Sequence, residues 1–383
     1  MENQIVDPLA AGRTLQALQR ALLGLMEIES VKVLTAGPRP AVEFTGRVRD
    51  LGEEATFDEI LERFAALGYT PLLSSKDNAH ILQAIPEVAD ARTGKPWVNV
   101  VLFVLTLLSV LYMGALNAGE GPGDSLSLGE FLLRGLPFAG TLLSILTVHE
   151  LSHYFVGRRY GSPISLPYFI PLPMSILGTM GAVIVQKGPM RSRKALFDIG
   201  AAGPLGGLLV ALPLLVVGLL LSTVEPLPVG QSYIMEGNSL FYYALKWLIF
   251  GRPLPSGGMD VMLHPMAFAA WAGLMVTALN LFPVGQFDGG HITYALWGRK
   301  AWTVGRLFIY LMFGWGLILS LLGNGAAWTW IIWGFLGMFM GYRHPAPLND
   351  VTPLDKKRQV LGWIVVVLFV LLLIPIPLVI VQP

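Results

Sequence analysis

Cysteine is absent from the 383 residues. Disulfides, thiolate zinc fingers, iron–sulfur clusters and cysteine nucleophiles are therefore excluded, and the redox compartment cannot be read. Charge is also scarce. Asp, Glu, Lys and Arg make up 13% of the chain, against about 25% in a typical soluble domain. The formal net charge is +1, which leaves no broad field for nucleic acid or acidic partners. Met1-Glu2-Asn3-Gln4 carries an acid early and no apolar run follows, so neither a signal peptide nor an Arg/Ser-rich transit peptide is predicted there.

What is abundant is hydrophobic: 54% of the residues. The excess is not spread evenly. Residues 1–93 look soluble and predict a small cytoplasmic α+β accessory domain. Leu15, Leu18, Leu22 and Leu25 recur at helical spacing, suggesting a helix near 9–28. Val42, Phe44 and Val48 alternate with polar residues as a half-buried strand does. Thr56 followed by Glu59 reads as a capping box opening a helix. Two short strands are expected near 69–74 and 79–85, turning at Lys76-Asp77-Asn78. His80 is a lone histidine with a structural use.

Residues 94–383 predict a membrane-embedded domain. A span needs about 20 apolar residues, and runs near 97–115, 135–157, 196–221, 264–287, 303–322, 327–342 and 360–381 suggest seven. The sixth is short, and the run 239–250 is too short to cross, so it is read as interfacial or re-entrant. With the N-terminus cytoplasmic, the cytoplasmic loops hold Arg158, Arg159, Lys187, Arg191, Arg193, Lys194, Arg299, Lys300, Arg306, Arg343, Lys356, Lys357 and Arg358, and the other side only Arg134, Lys246 and Arg252. That bias satisfies the positive-inside rule. Seven crossings then put the C-terminus outside, and a prokaryotic plasma membrane is the expected location. His264 and His344 lie at span ends and are read as interfacial, like most of the tryptophans.

The second span contains His149-Glu150-Leu151-Ser152-His153. Histidines at i and i+4 share one helix face, so both imidazoles can reach one Zn²⁺. Glu150 sits beside the first of them and can take a proton from the attacking water. Two imidazoles and a carboxylate in hydrocarbon are costly without a purpose. A hydrolytic zinc wants a third protein ligand, and Asp288 is the only acid in the fourth span, 264–287 with its continuation. Pro283, Gly285, Gly289 and Gly290 predict a loosened helix there, which a membrane tolerates where it lines a cavity.

His-Glu-x-x-His in one span, with Asn280-x-x-Pro283-x-x-x-x-Asp288-Gly289 in a later one, resembles the site-2 protease family of intramembrane zinc metalloproteases. Gly178-Thr179-Met180-Gly181-Ala182 and Phe197-Asp198-Ile199-Gly200-Ala201-Ala202-Gly203-Pro204-Leu205-Gly206-Gly207 resemble its hairpin and third-span motifs. The resemblance covers about 135–295 and is closest to the branch with an N-terminal soluble extension and no PDZ insert. It implies one zinc held by His149, His153 and Asp288, Glu150 as general base, and Asn280 holding the substrate or stabilising the oxyanion. Interhelical hydrogen bonding is the other use of a residue like Asn280. His291 reads as a neighbour of the site or a helix cap. The family often has Asn near Gly207, where this chain has glycine. The small pair Gly203 and Gly207 suggests close approach of the third span to the catalytic spans.

The stretch 163–190 is too apolar for a cytoplasmic loop, although Arg159 and Lys187 place both its ends on one side. Prolines at 163, 167, 171 and 173 forbid a helix over its first half, and Gly181-Ala182-Val183-Ile184-Val185 reads as a strand. A re-entrant β-hairpin is expected. An unwound substrate could add to its edge at Val183 and Val185; a structural plug is the blander use. The expected partners are transmembrane protein substrates, already shortened, and the lipid bilayer. A zinc-binding transporter or sensor, or a non-proteolytic scaffold of protease ancestry, remains the alternative. Substrate identity and oligomeric state are not legible.

Overall fold

The computed structural model describes residues 8–35, 39–50, 54–86, 95–118, 127–228, 230 and 232–381. Two compact units emerge. The first takes in Met1–Arg92 together with Gly188–Leu196 and Pro345–Asp355, and the second holds the rest.

The first unit is built from α1 (Pro8–Ala21), β1 (Met26–Val33), β2 (Val42–Val48), α2 (Glu54–Ala65), β3 (Tyr69–Lys76) and β4 (Ala79–Pro86). Its sheet has the order β1-β2-β4-β3 with antiparallel neighbours. Phe44, Leu82 and Leu73 stand in one cross-strand row, and they are buried with Leu18 and Leu22 of α1 and Phe57, Ile60 and Phe64 of α2. Alternation along the strands therefore feeds one face to the helices. Asp77 and Asn78 turn the β3–β4 hairpin with positive φ, a conformation that Asp and Asn tolerate. His80 is structural: its Nδ1 accepts from the backbone N–H of Val48 at 3.0 Å.

Three features differ from the expectations. The first helix ends at Ala21, and a turn over 22–25 and the start of β1 occupy the rest of the stretch assigned to it. Thr56 is not a cap, because α2 begins at Glu54 and its hydroxyl donates to the carbonyl of Asp50. The unit also recruits two distant segments. Leu73 donates to the carbonyl of Leu348 at 2.7 Å, Leu348 donates to that of Met190 at 2.8 Å, and Asp350 donates back to Leu73. Arg191 pairs with Asp58, and Arg193 with Asp350. The outer edge of β3 is thus covered rather than open.

The second unit begins with α3 (Pro96–Asn117), α4 (Leu128–Arg159), β5 (Tyr168–Pro171), β6 (Thr179–Val183) and α5 (Arg193–Leu220, whose first turn belongs to the first unit). It continues with β7 (Thr223–Pro226), β8 (Tyr233–Glu236), α6 (Leu240–Phe250), β9 (Met259–Met262), α7 (Pro265–Asn280) and α8 (Asp288–Trp297). The last elements are α9 (Lys300–Leu321), α10 (Ala327–Met340), α11 (Lys356–Leu372) and β10 (Leu378–Val381). By length and composition α3, α4, α5 and α9 could each cross a membrane, while α6, α7 and α10 are shorter apolar helices. The fourth expected run, 264–287, is helical only as far as Asn280 in α7, with α8 starting just beyond it at Asp288, and the last run is helical only to Leu372, ahead of Pro375 and Pro377. β10 then pairs with β8, and β7 with β9.

Residues 168–183 do form a hairpin, with β5 antiparallel to β6. Its first half is a strand in spite of its prolines, which fit because β5 has an unpaired side. The backbone of this hairpin is satisfied by α3. Asn99 donates to the carbonyls of Leu166 and Pro167, Ser109 to Gly178 at 2.6 Å, and Asn117 to Ile176 at 2.8 Å. Gly178 has φ +74°, and a Cβ there would come within 2.8 Å of the α3 backbone. Three of the polar side chains of α3 thus have a common purpose, because a buried carbonyl without a partner costs about 1–3 kcal/mol. The Gly178 carbonyl also accepts from the Leu172 N–H at 3.0 Å, so Ser109→Ala is expected to lower the unfolding free energy in micelles by about 0.5–1.5 kcal/mol, the net worth of one hydrogen bond. An unchanged denaturation midpoint would mean that the Gly178 carbonyl does not depend on Ser109.

Candidate metal centre

The 32-residue helix α4 opens on a capping box, Ser127 with Glu130, and closes on Arg158 and Arg159, whose charges suit a helix C-terminus. Its length places His149, Glu150 and His153 well inside it, and all three are buried. Successive turns stack the two imidazoles, with ring centroids 4.9 Å apart.

The third group arrives by a break in the chain. α7 stops at Asn280. Pro283 has no N–H to continue it, and Gly285 takes φ +49°, where a Cβ would lie 2.0 Å from the carbonyl oxygen of Gly341. The loop folds against the start of α8 so closely that a Cβ on Gly289 would lie 1.9 Å from the carbonyl oxygen of Leu281. Asp288 is therefore delivered in the first turn of α8, where the helix dipole favours a carboxylate. Without the break, Asn280 and Asp288 would lie two turns apart on a single helix. With it, both meet α4 at the same place.

Asp288 Oδ2 lies 3.2 Å from His149 Nε2 and 3.3 Å from His153 Nε2, and the two Nε2 atoms are 3.2 Å apart. Ligands at about 2.0–2.1 Å around a tetrahedral Zn²⁺ stand about 3.3–3.4 Å from one another. The donor set of two imidazoles and a carboxylate fits zinc in both type and spacing. Among the described residues these three form the group able to hold a metal ion, and Glu150 is not part of it. Asn280 Nδ2 lies 3.2 Å from His149 Nε2, on the face where the donors converge.

Around the donors, α5 supplies what the sequence reading did not foresee. His153 Nδ1 donates to the backbone carbonyl of Ile199 at 2.7 Å. That bond fixes the tautomer and leaves Nε2 with its lone pair toward Asp288. The close approach expected of Gly203 and Gly207 is present. A Cβ at Gly203 would fall 2.0 Å from His153 Nε2, and one at Gly207 would fall 3.2 Å from His149 Nδ1. A backbone carbonyl leaves no trace in residue type, so only the glycine spacing could have signalled this contact. His291 points to His344 instead of the donor set, Nδ1 to Nε2 at 2.5 Å. His344, expected at the membrane interface, is buried against Tyr294. Val183 and Val185 are half-exposed. Val183 ends β6, and Val185 lies beyond it with its backbone already paired to Ser165, its carbonyl accepting from the Ser165 N–H and its own N–H donating to Ser165 Oγ at 2.9 Å, so the open edge expected at Val185 is not there.

Comparison with known proteins agrees with this geometry. Residues 137–321 match the profile of Peptidase family M50. The chain is 34% identical over 272 residues to the probable zinc metalloprotease EGY1, chloroplastic, of Arabidopsis thaliana, covering 70% of this chain and 47% of that protein. It is 32% identical over 251 residues to EGY2 of the same plant, covering 65% and 43%, and 32% identical over 304 residues to EGY1 of Oryza sativa subsp. japonica, covering 73% and 50%. The chain thus spans about half the length of the curated relatives it matches. No solved structure matches it. The names of the relatives and the donor set both support zinc as the cofactor. All three relatives are named as chloroplastic, which conflicts with the expected prokaryotic plasma membrane; a membrane protein is what the family and the apolar helices support.

Gly203→Ala is expected to drive its new methyl group into the His153 ring and to remove most of the zinc from purified protein, measured by elemental analysis. Gly207→Ala, whose methyl group would be tight against His149 but needs only a few tenths of an ångström of give, is expected to keep more of it than Gly203→Ala. Equal zinc content in wild type and Gly203→Ala would show that His153 is not held against α5 as described.

Proposed function

This chain belongs to the site-2 protease family, and from that premise we propose that it is an intramembrane zinc endopeptidase. Its reaction is hydrolysis of peptide bonds within or near transmembrane segments of membrane-protein substrates. The observation that carries the reading is a three-donor site with a buried glutamate, Glu150, next to it in sequence and outside the donor set. A transporter or sensor needs ligands but has no use for a base beside them, and the same holds for a scaffold.

His149, His153 and Asp288 hold the metal. Zinc, when bound, supplies a Lewis acid that polarises the scissile carbonyl and lowers the pKa of a coordinated water to about 7. Glu150 takes a proton from the attacking water and delivers it to the leaving amine. Asn280, with its amide beside the donors, holds the substrate carbonyl as negative charge develops on its oxygen. Burial of the donors excludes bulk water, so these few polar groups act in a low dielectric.

Substrate access follows from helix physics. In an intact helix the carbonyl is hydrogen-bonded and covered by side chains, so the substrate must unwind at the cut. Substrates carrying helix-weakening residues, and already relieved of a bulky outer domain, suit this requirement. The hairpin receives the unwound segment as an added strand near Val183. The N-terminal unit, which shows no metal-ligating cluster among the described residues, serves docking or regulation.

Seven crossings, with the Lys/Arg-rich loops on the cytoplasmic face, remain the proposed topology. The β8–β10 pairing supports it, since both strands then fall on the opposite face together with the C-terminus.

Two measurements test this reading. Glu150→Gln should keep zinc and lose cleavage of a transmembrane reporter by about 10²-fold or more, whereas His149→Ala should lose both. A Gln variant that still cleaves would remove Glu150 from the mechanism. Proline at Val183 removes a backbone donor and should abolish cleavage with zinc retained, while alanine there should be much milder; Val185 is no test of this, because its N–H donates to Ser165 Oγ. Equal behaviour of proline and alanine in folded protein would exclude main-chain pairing with substrate.

A further inference from the structure

The carbonyl that orients His153 belongs to Ile199, in α5, and the residue before it is Asp198. Asp198 is held from two sides. Arg358, in the first turn of α11, grips its carboxylate bidentately, Nε to Oδ1 at 2.7 Å and Nη2 to Oδ2 at 2.6 Å. Tyr160, the residue at the C-cap of α4, donates its hydroxyl to Oδ2. α4 and α5 are therefore fastened twice within a short distance, at Tyr160–Asp198 and at His153–Ile199. Both side chains of the Arg358–Asp198 pair are mostly covered, 25% and 23% exposed, so this is not a freely solvated surface pair.

We infer that Arg358 and Asp198 form a positioning pair for the zinc site, setting the first turns of α5 against α4 so that the Ile199 carbonyl meets His153 Nδ1. The inference rests on His153 being a zinc ligand. A fork-to-carboxylate contact fixes direction as well as distance. If Arg358 is lost, Asp198 keeps one hydroxyl donor and an uncompensated charge, and it gains by turning toward water. Ile199 is the next residue, so its carbonyl moves with that turn. A shift of about 0.5 Å takes a 2.7 Å hydrogen bond to the edge of the normal range. The imidazole would then be free to rotate or to change tautomer, and its Nε2 would no longer be aimed at the other two donors. Groups that orient a metal-bound histidine typically change metal affinity by about 10–100-fold when removed. Arg358 lies 205 positions after His153 in the numbering, so the sequence gives no hint of this link.

The test is zinc affinity of the full-length protein in nanodiscs, by competition with a chromophoric chelator, together with the visible spectrum of the Co²⁺-substituted protein. Arg358→Gln is expected to bind Zn²⁺ about 10–100-fold more weakly and to shift the Co²⁺ bands. Arg358→Lys, which restores the charge without the fork, should recover part of the affinity. A pair that only stabilised the fold would lower the melting temperature and leave affinity and spectrum at their wild-type values; that result in folded Arg358→Gln protein overturns the inference. If Arg358→Gln does not fold, Tyr160→Phe decides: several-fold weaker binding supports the strut, and wild-type affinity overturns it. His153→Ala separates the two levels. Zinc retained by His153→Ala defeats the ligand assignment and this inference with it; zinc lost there but unchanged in Arg358→Gln defeats the inference alone.

Discussion

The elements around the donor set answer to one constraint: two imidazoles and a carboxylate meet, buried, with their donor atoms 3.2–3.3 Å apart. Without a metal, that gathering of polar groups in an apolar protein would be a cost with no return. The surrounding architecture can be read as the set of concessions that make it possible. α4 runs on for 32 residues to carry two histidines one turn apart. The fourth apolar run gives up helical continuity between Asn280 and Asp288, and glycines at 285 and 289 let the chain double back on itself. α5 gives up side chains at Gly203 and Gly207 so that it can lie against the imidazoles.

The same logic extends outward. A hairpin between α4 and α5 carries backbone groups that need partners, and α3 provides them from Asn99, Ser109 and Asn117. A helix that looks like a plain apolar span is thereby committed to the hairpin as well as to α4, against which Gly114 and Gly135 let it pack closely. Beyond Val183 the chain stays within the hairpin, Val185 pairing with Ser165 and Lys187 with Pro163.

The chemistry of the site was legible in the sequence, because it depends on local spacing. The i, i+4 histidines declare a helix face, Asp288 stands out as the lone acid of an apolar run, and Pro283 with its glycines announces the break. The hairpin showed through composition, being too apolar for a loop and too rich in proline for a helix. What was missed is non-local or made of backbone. β1 was absorbed into the first helix because Leu25 continues the spacing of Leu18 and Leu22. The pairing of Leu73 with Leu348 and of Leu348 with Met190 joins segments more than a hundred residues apart. The Ile199 carbonyl has no residue type of its own, and the burial of His344 depends on His291 and Tyr294 being brought to it. The apparent capping box at Thr56 failed because α2 gains a further turn of start at Glu54, which no motif marks.

The most direct measurement of the central claim is X-ray absorption at the zinc edge on purified full-length protein, compared with Glu150→Gln and Asp288→Ala. The account predicts a four-coordinate site with two imidazoles and light oxygen donors at about 2.0–2.1 Å, unchanged in Glu150→Gln and altered in Asp288→Ala. A spectrum that changes with Glu150 but not with Asp288 would contradict it, because the glutamate would then be a ligand and the chain would have no base beside its metal.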